Sequence, residues 1–291
     1  MKETIGYKAS KEMEEMLYKD SGIYKYKQIK KAASITLKSA HQEIELLWNQ
    51  DVKYRPGFAI DGEYAKIPVF FSKVNGILDN KFKYWKYVKS LITKNSVLIR
   101  NFNIIKLNFF RRLRFKFINC FNNGNLDVEK LMKCKLYKYG TLQKSIQLHL
   151  IEKVKFIIDN RIFRGTFVSG TENKIITVFL NLPTNILRLI HNFDFTGKNP
   201  KIIYINVKSE MMPIEDAIII VLLHYIGFDI VLFTPSGVNC IDQYLNVELI
   251  NEYQIGEYAE NVKIPNLYLC KIFFIIGGKI WDWIFQKLMS M

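Results

Sequence analysis

The chain has 291 residues, of which 49% are hydrophobic and 24% are charged. This balance excludes disorder for most of the chain, and the length allows one large hydrophobic core or two smaller ones. The formal net charge is +15 and the mean hydropathy is +0.00, but no stretch has the roughly 20 uninterrupted apolar residues that a membrane-spanning helix needs. The N-terminal residues are rich in acids where a signal peptide would be apolar, so we expect a cytoplasmic protein.

The four cysteines are far apart and form no Cys-x-x-Cys pair. Zinc sites and disulfide frameworks of small secreted domains use closer, regular spacings. We therefore expect reduced structural thiols and no metal site, and the sequence identifies no cofactor.

The first third of the chain has a mixed pattern. Residues 32–39 alternate between apolar and polar as a half-buried strand does. A helix is predicted next, in which Ser39 and Gln42 have the spacing of a capping box. Residues 66–71 predict another short strand between loops.

A basic segment follows, because residues 80–126 contain no Asp or Glu. Such a segment is attracted to phosphates or anionic lipid. Its aromatic residues could stack on bases or lie in a membrane interface, or they could pack beneath a solvated basic face. The candidate contacts to an anionic surface are Lys81, Lys83, Lys86, Arg111, Arg112 and Arg114.

The last half has the clearest pattern. Helical spacing of apolar residues predicts a helix over 141–160, and a second helix is predicted over 184–193 with Thr184 as its cap. Strand 201–207, helix 212–227 and strand 228–233 then form a strand–helix–strand unit, which predicts two parallel neighbouring strands.

These elements predict an α/β protein with a Rossmann-like three-layer portion in the C-terminal half and a mixed, basic α+β N-terminal portion. We place the N-terminal region at 1–125, the Rossmann-like domain at 126–265 and an amphipathic C-terminal helix at 266–291. That helix could lie on a membrane or dock across the protein's own sheet.

The best candidate ligand site follows the last predicted strand, in the sequence Thr-Pro-Ser-Gly. Ligands of parallel sheets bind beyond the carboxyl ends of strands, and a helix predicted over 238–245 would offer free N–H groups to a phosphate or carboxylate. Alternatively, a side chain here only caps that helix, and the glycine supplies a permitted backbone angle. The candidate ligand-binding residues are Thr234, Ser236, Gly237 and Asn239.

Other catalytic signals are few. His191 and Asp194 lie just before a loop and are the candidate acid/base pair, whereas His224 lies on an apolar helix and is expected in the core. Gly165 and Gly170 have phosphate-loop spacing, but Thr171 stands where that loop's lysine should be.

Four stretches carry a family resemblance: "EIELLWNQDVKYRPGF", "KIPVFFSKVNGI", "MPIEDAIIIVLLHYIGFDIVLFTPSGVNCID" and "INEYQIGEY". In these the chain resembles the YceG-like bacterial family, described as a component of a "biosynthetic module" among tellurium- and stress-resistance genes. The resemblance implies a cytoplasmic protein that acts with other tellurium-resistance proteins. An alternative location that it allows is peripheral, at the inner face of the membrane. It implies no catalytic residues.

The leading hypothesis is a component of such a module that binds an anionic small molecule, a nucleotide or phosphorylated metabolite, at residues 234–239. If the protein is an enzyme, group transfer, including a glycosyltransferase-like transferase, is the expected class. The alternative is a non-catalytic scaffold at an anionic membrane surface, which would use the basic segment and the C-terminal helix. Nucleic-acid binding through the basic segment is a third, weaker reading, because charge alone carries no sequence preference.

Overall fold

The computed structural model describes residues 29, 31–101, 104, 117–122, 124–140, 142, 144–193, 195–238 and 241–267. Several predictions lie outside these residues. They concern Arg111, Arg112, Arg114, Asp194, Asn239 and the C-terminal helix beyond residue 267.

The α-helices form where apolar residues recur at helical spacing, and the predictions over 141–160, 184–193 and 212–227 are confirmed. Thr184 is the first helical residue and Pro183 is the cap. The α-helices are α1 (Ile44–Trp48), α2 (Lys81–Ser90), α3 (Val128–Lys133), α4 (Lys144–Asp159), α5 (Thr171–Phe179), α6 (Thr184–His191) and α7 (Ile214–Ile226).

The strands are short and mostly apolar, and those predicted at 32–39, 201–207 and 228–233 are confirmed. The strand predicted at 66–71 is the junction of two consecutive strands, which only Phe70 separates. The strands are β1 (Lys31–Thr36), β2 (Ala59–Asp61), β3 (Tyr64–Val69), β4 (Phe71–Asn75), β5 (Ser96–Arg100), β6 (Phe121–Asn122), β7 (Asn125–Leu126), β8 (Lys201–Ile205), β9 (Asp229–Thr234) and β10 (Asn251–Gln254).

Five strands form a parallel sheet in the order β10-β4-β9-β8-β5. The predicted strand–helix–strand unit is confirmed, because β8 and β9 are parallel neighbours joined through α7. The sheet hydrogen-bonds β4 and β5 to the strands of the second half. This sheet therefore contains strands from both sides of residue 125.

Both faces of this sheet are covered by helices, which makes three layers. One face, with Phe71, Ile230 and Leu232, packs with buried residues of α4, α5, α6 and α7. The opposite face, with Val74 and Phe233, packs with buried residues of α1 and α2. Burial on both sides explains why these strands are nearly continuous apolar runs.

A smaller sheet has the order β1-β3-β2, with β1 parallel and β2 antiparallel to β3. It has its own small core around Ala65 and Ile67. It is tied to α7, because the Ser34 hydroxyl donates to the Tyr225 carbonyl at 3.0 Å.

Two local predictions are wrong. The predicted capping box is shifted by one residue, since the Glu43 carboxylate accepts the Ala40 N–H at 2.9 Å. In the described residues of 238–245 the predicted helix is replaced by a single 3₁₀ turn at Asp242–Tyr244. None of the helices in the described part of the chain is long and apolar enough to span a membrane.

Candidate functional site

A group of polar residues extends from the middle of β4 and β10 to the carboxyl ends of β4 and β9, and ligands of parallel sheets bind beyond such ends. We name it the strand-end cluster, and it consists of Lys73, Asn75, Thr234, Asp242 and Glu252. Lys73 and Asn75 alternate with apolar residues along β4, so both point to the sheet face that α7 covers.

Lys73 is the centre of this cluster. Its residue is 1% exposed, and its Nζ lies 3.1 Å from Glu252 Oε1 and 3.6 Å from Asp242 Oδ2. The two carboxylate side chains are 52% and 39% exposed. A buried ammonium therefore faces carboxylates that solvent can reach.

Asn75 and Thr234 connect the lysine to the last predicted strand. The Thr234 hydroxyl donates to Asn75 Oδ1, and Asn75 Nδ2 donates to the same Glu252 oxygen that Lys73 contacts. Thr234 is fully buried and its hydroxyl is engaged inside the protein. In this arrangement Thr234 holds Asn75 in position and does not face a ligand directly.

The loop after Thr234 is a tight turn. The Gly237 N–H donates to the Thr234 carbonyl at 2.9 Å, and Gly237 has φ +69°. Ser236 is partly exposed, with its Oγ 3.5 Å from the Lys208 carbonyl oxygen. Ser236 and Gly237 thus remain at the carboxyl edge, but without the helix N-terminus predicted behind them.

The ring of Tyr258 packs against Gly237. A Cβ at Gly237 would lie 2.4 Å, 2.7 Å and 2.9 Å from three adjacent Tyr258 ring atoms. The glycine is therefore needed both for its left-handed backbone and for the space that the ring occupies.

The loops at this edge are bonded to each other. The Ile77 N–H donates to the Glu257 carbonyl at 2.8 Å, and the Ala259 N–H donates to the Pro235 carbonyl at 2.9 Å. A Cβ at Gly76 would lie 2.5 Å from the Gly256 carbonyl oxygen, so the two chains approach at backbone distance. These contacts hold the strand-end cluster in a fixed frame.

The 3₁₀ turn before β10 carries two buried polar atoms, the side-chain Nε2 of Gln243 and the Oδ2 of Asp242. Among the described residues Gln243 Nε2 has no hydrogen-bond partner, whereas Asp242 Oδ2 forms an ion pair with Lys73. Buried polar atoms usually have a partner, and for Asp242 the Lys73 ammonium is that partner.

The structure does not bring His191 to this edge. His191 is exposed at the end of α6. Phe193, two residues later, packs against Gly227, just before the amino end of β9. His191 therefore lies near the opposite edge of the sheet from Thr234.

Two other histidines are buried near that opposite edge. His224 Nε2 lies 3.1 Å from Thr36 Oγ1, and His149 Nε2 lies 3.4 Å from the Ile226 carbonyl oxygen. Burial lowers the pKa of His224 to about 3 and that of His149 to about 4. Both are neutral at pH 7, and the expectation that His224 lies in the core is confirmed.

A second charged cluster, the amino-edge cluster, consists of Arg55, Lys201 and Asp229 and lies at the amino ends of β8 and β9. Both oxygens of the Asp229 carboxylate accept from Arg55 at 2.7 Å, and Lys201 Nζ donates to it at 3.0 Å. Burial alone would raise the pKa of Asp229, but Arg55 and Lys201 outweigh it and the pKa is lowered. All three side chains are buried, so this cluster is closed to solvent.

Helix α2 shows where two aromatic residues of the basic segment lie. Its residues Tyr84 and Trp85 are fully buried in the core, so these two aromatic residues cannot stack on bases. Lys81, Lys83 and Lys86 are exposed. The helix is thus a basic surface above packed aromatic residues.

No metal-binding group is present among the residues that the structure describes, since no three His, Cys, Asp or Glu side chains come together there. Cys120 and Cys134 are free, and burial raises the pKa of the Cys120 thiol. Cys240 and Cys270 lie outside the described residues.

Sequence reasoning missed Lys73, Asn75, Asp242, Glu252 and Tyr258. One signal was present, because Lys73 and Asn75 closely follow the apolar run at residues 67–71, and charged residues are rarely buried without a partner. Their partners come from β10 and the segment before it, more than 160 residues later, and no local pattern shows that pairing.

Comparisons with known proteins place the chain in a family. A family model described as "YceG domain" matches residues 38–264. The uncharacterized protein YceG of Bacillus subtilis (strain 168) is 27% identical over 282 residues, which are 91% of this chain and 51% of that protein. This chain therefore spans about half the length of that relative. No solved structure matches the chain. Because the family model covers well over half of its residues, the chain belongs to the YceG domain family.

Proposed function

We propose that this chain is a Rossmann-like, cytoplasmic component of a tellurium- and stress-resistance biosynthetic module. In this proposal it binds an anionic small molecule, a nucleotide or a phosphorylated metabolite, at the strand-end cluster. The observation that carries the proposal is the buried Lys73 ammonium, two residues before the carboxyl end of β4, which faces carboxylates that are partly exposed.

The exposure of the two carboxylates matters because a buried charge needs a counter-charge. Glu252 supplies one, but at 52% exposure its side chain can turn into water at small cost. A phosphate group of a ligand could then take its place beside Lys73. Glu252 is in this view a placeholder for the ligand's anion.

Asn75 and the turn at Ser236 support the same position. Asn75 Nδ2 donates to the Glu252 oxygen and would donate equally to a phosphate oxygen there. Ser236 is partly exposed one turn beyond Thr234, where its hydroxyl could reach a ligand. Of the ligand-binding residues predicted from the sequence, Ser236 and Gly237 keep direct roles in the proposal, and Thr234 acts through Asn75.

If the bound metabolite reacts, group transfer is the class we propose. Asp242 is closer to the site than His191, which lies toward the other edge of the sheet. Asp242, a partly exposed carboxylate beside Lys73, is therefore the better candidate to accept a proton from a ligand hydroxyl. The proposed partners are the other tellurium-resistance proteins of the module.

A thermal-shift screen against nucleotides, sugar nucleotides and phosphorylated metabolites tests this proposal. A ligand that binds the native state raises the unfolding midpoint by mass action. We expect a hit with the wild type, loss of the shift with Lys73→Met, and a larger shift with Glu252→Gln because the competing carboxylate is gone. Lys83→Met, an exposed lysine of α2, is the matched control and should behave as wild type.

No hit for the wild type and for Glu252→Gln would contradict the proposal, and so would a hit that Lys73→Met leaves unchanged. The alternative function, a scaffold at an anionic membrane surface, is favoured by the exposed Lys81, Lys83 and Lys86 in a segment without acids. It predicts co-sedimentation with anionic but not neutral vesicles, and weaker co-sedimentation when these three lysines are changed to glutamine.

A further inference from the structure

Tyr258 is a large aromatic residue at the rim of the proposed site. One side of its ring packs on Gly237, where a Cβ would come within 3 Å of three ring atoms. The residue is nevertheless 57% exposed. The contact with Gly237 therefore leaves more than half of the surface of Tyr258 open to solvent.

The backbone bonds at this edge set the distance between the ring and the strand-end cluster. Ile77 and Glu257 form an isolated bridge, and Tyr258 is the next residue. Ile77 lies two residues beyond Asn75, and two residues span at most roughly 7 Å. The bridge therefore keeps Tyr258 beside the loop that follows Asn75, at the same edge of the sheet as the carboxyl ends of β4 and β9.

Exposure alone does not make an aromatic residue a binding platform, as Tyr54 shows. Tyr54 is 66% exposed, but Lys53 Nζ lies over its ring at 5.0 Å. It is also distant in sequence from the three strands that form the strand-end cluster. Tyr258 differs because a positive-φ glycine makes room for its ring, and because its segment is bonded to the loops after β4 and β9.

We infer that Tyr258 is the platform on which the planar base of a nucleotide stacks, while the phosphate of that nucleotide replaces Glu252 beside Lys73. This inference rests on the proposed function and makes its ligand class narrower. Stacking on an aromatic ring accepts every base, since every base has a π-face. The ligand class is therefore a nucleotide of unspecified base, and a sugar phosphate without a base should bind more weakly.

Isothermal titration calorimetry with AMP, UMP and ribose 5-phosphate tests the inference. We expect AMP and UMP to bind the wild type between roughly fivefold and a hundredfold more tightly than ribose 5-phosphate, the range that one base–aromatic stack supplies. Tyr258→Ala should reduce AMP binding to the level of ribose 5-phosphate. Tyr258→Phe should keep AMP binding, and Tyr54→Ala is the matched control at another exposed tyrosine.

The outcomes separate the two proposals. If AMP and ribose 5-phosphate bind equally, and both are lost with Lys73→Met, the anion site stands and the platform is overturned. If Tyr258→Phe loses as much AMP affinity as Tyr258→Ala, the hydroxyl and not the ring face is responsible, and the platform is also overturned. If none of the three probes binds the wild type or Glu252→Gln, the proposed function fails together with the inference.

Discussion

The two charged clusters of this protein lie at opposite edges of the same sheet and differ in exposure. In the amino-edge cluster, Asp229 is held by Arg55 and Lys201, and all three side chains are at most 1% exposed. In the strand-end cluster, Lys73 is equally buried but Glu252 and Asp242 reach solvent. The first arrangement is closed to solvent, whereas we propose that the second exchanges a partner for a ligand.

Replacing the carboxylate of each cluster should give the largest difference in the free energy of unfolding. Asp229→Asn would leave two buried cations without their counter-charge and should lower the free energy of unfolding by about 3–5 kcal/mol. Glu252→Gln removes a half-exposed carboxylate and should change it by less than about 1 kcal/mol. Urea denaturation of both variants checks this, and similar losses would show that the two clusters are equivalent.

Acid should lower the free energy of unfolding, because His149 and His224 are buried near the amino edge of the sheet. Their pKa values are lowered from 6.5 to about 4 and about 3, first by burial. As the pH falls below 6.5 the unfolded chain therefore binds protons before the native protein does, and stability is lost toward pH 4 and below.

We expect the free energy of unfolding to fall by roughly 2–4 kcal/mol between pH 7 and pH 5. Urea midpoints measured at both pH values test this. The double variant His149→Gln with His224→Gln should show a smaller pH dependence than the wild type. An unchanged dependence would mean that other groups account for the acid sensitivity.

Glycine substitutions should lower the stability less than Asp229→Asn or acid does, and they should differ from each other in their effect on AMP binding. Gly57 and Gly237 both have positive φ, but a Cβ at Gly57 meets nothing within 4 Å. Gly57→Ala and Gly237→Ala should each cost about 1–2 kcal/mol of unfolding free energy. Only Gly237→Ala should weaken AMP binding, because only it displaces the Tyr258 ring. Equal AMP affinities for the two variants would argue against a role for that ring.

Much of the fold could be predicted from the sequence where the signal is local. The helical spacing in α4 and α7 and the apolar run of β9 indicated their elements and the parallel pairing of β8 with β9. The insertion of β4 between β9 and β10 could not be predicted, because it depends on contacts over more than 150 residues. Contacts distant in sequence also hold the described residues of the helix expected over 238–245, since Tyr244 donates to the Met212 carbonyl and Leu245 forms a bridge with Phe163.

The sequence predicted where the candidate site lies but not the charged residues that form it. The carboxyl end of β9 was the expected place, and Ser236 and Gly237 lie there. The charged group of the site, Lys73, belongs to a strand that the sequence placed in a different region of the protein. Its carboxylate partners become recognisable only when the three strands are aligned.

The measurement that tests the central claim most directly is a map of backbone amide chemical shifts during titration with AMP. The account predicts changes at residues 73–77, 234–238 and 252–258, and none at Arg55, Lys201 and Asp229. Changes confined to the amino-edge cluster or to the exposed lysines of α2, with the strand-end cluster unaffected, would contradict it.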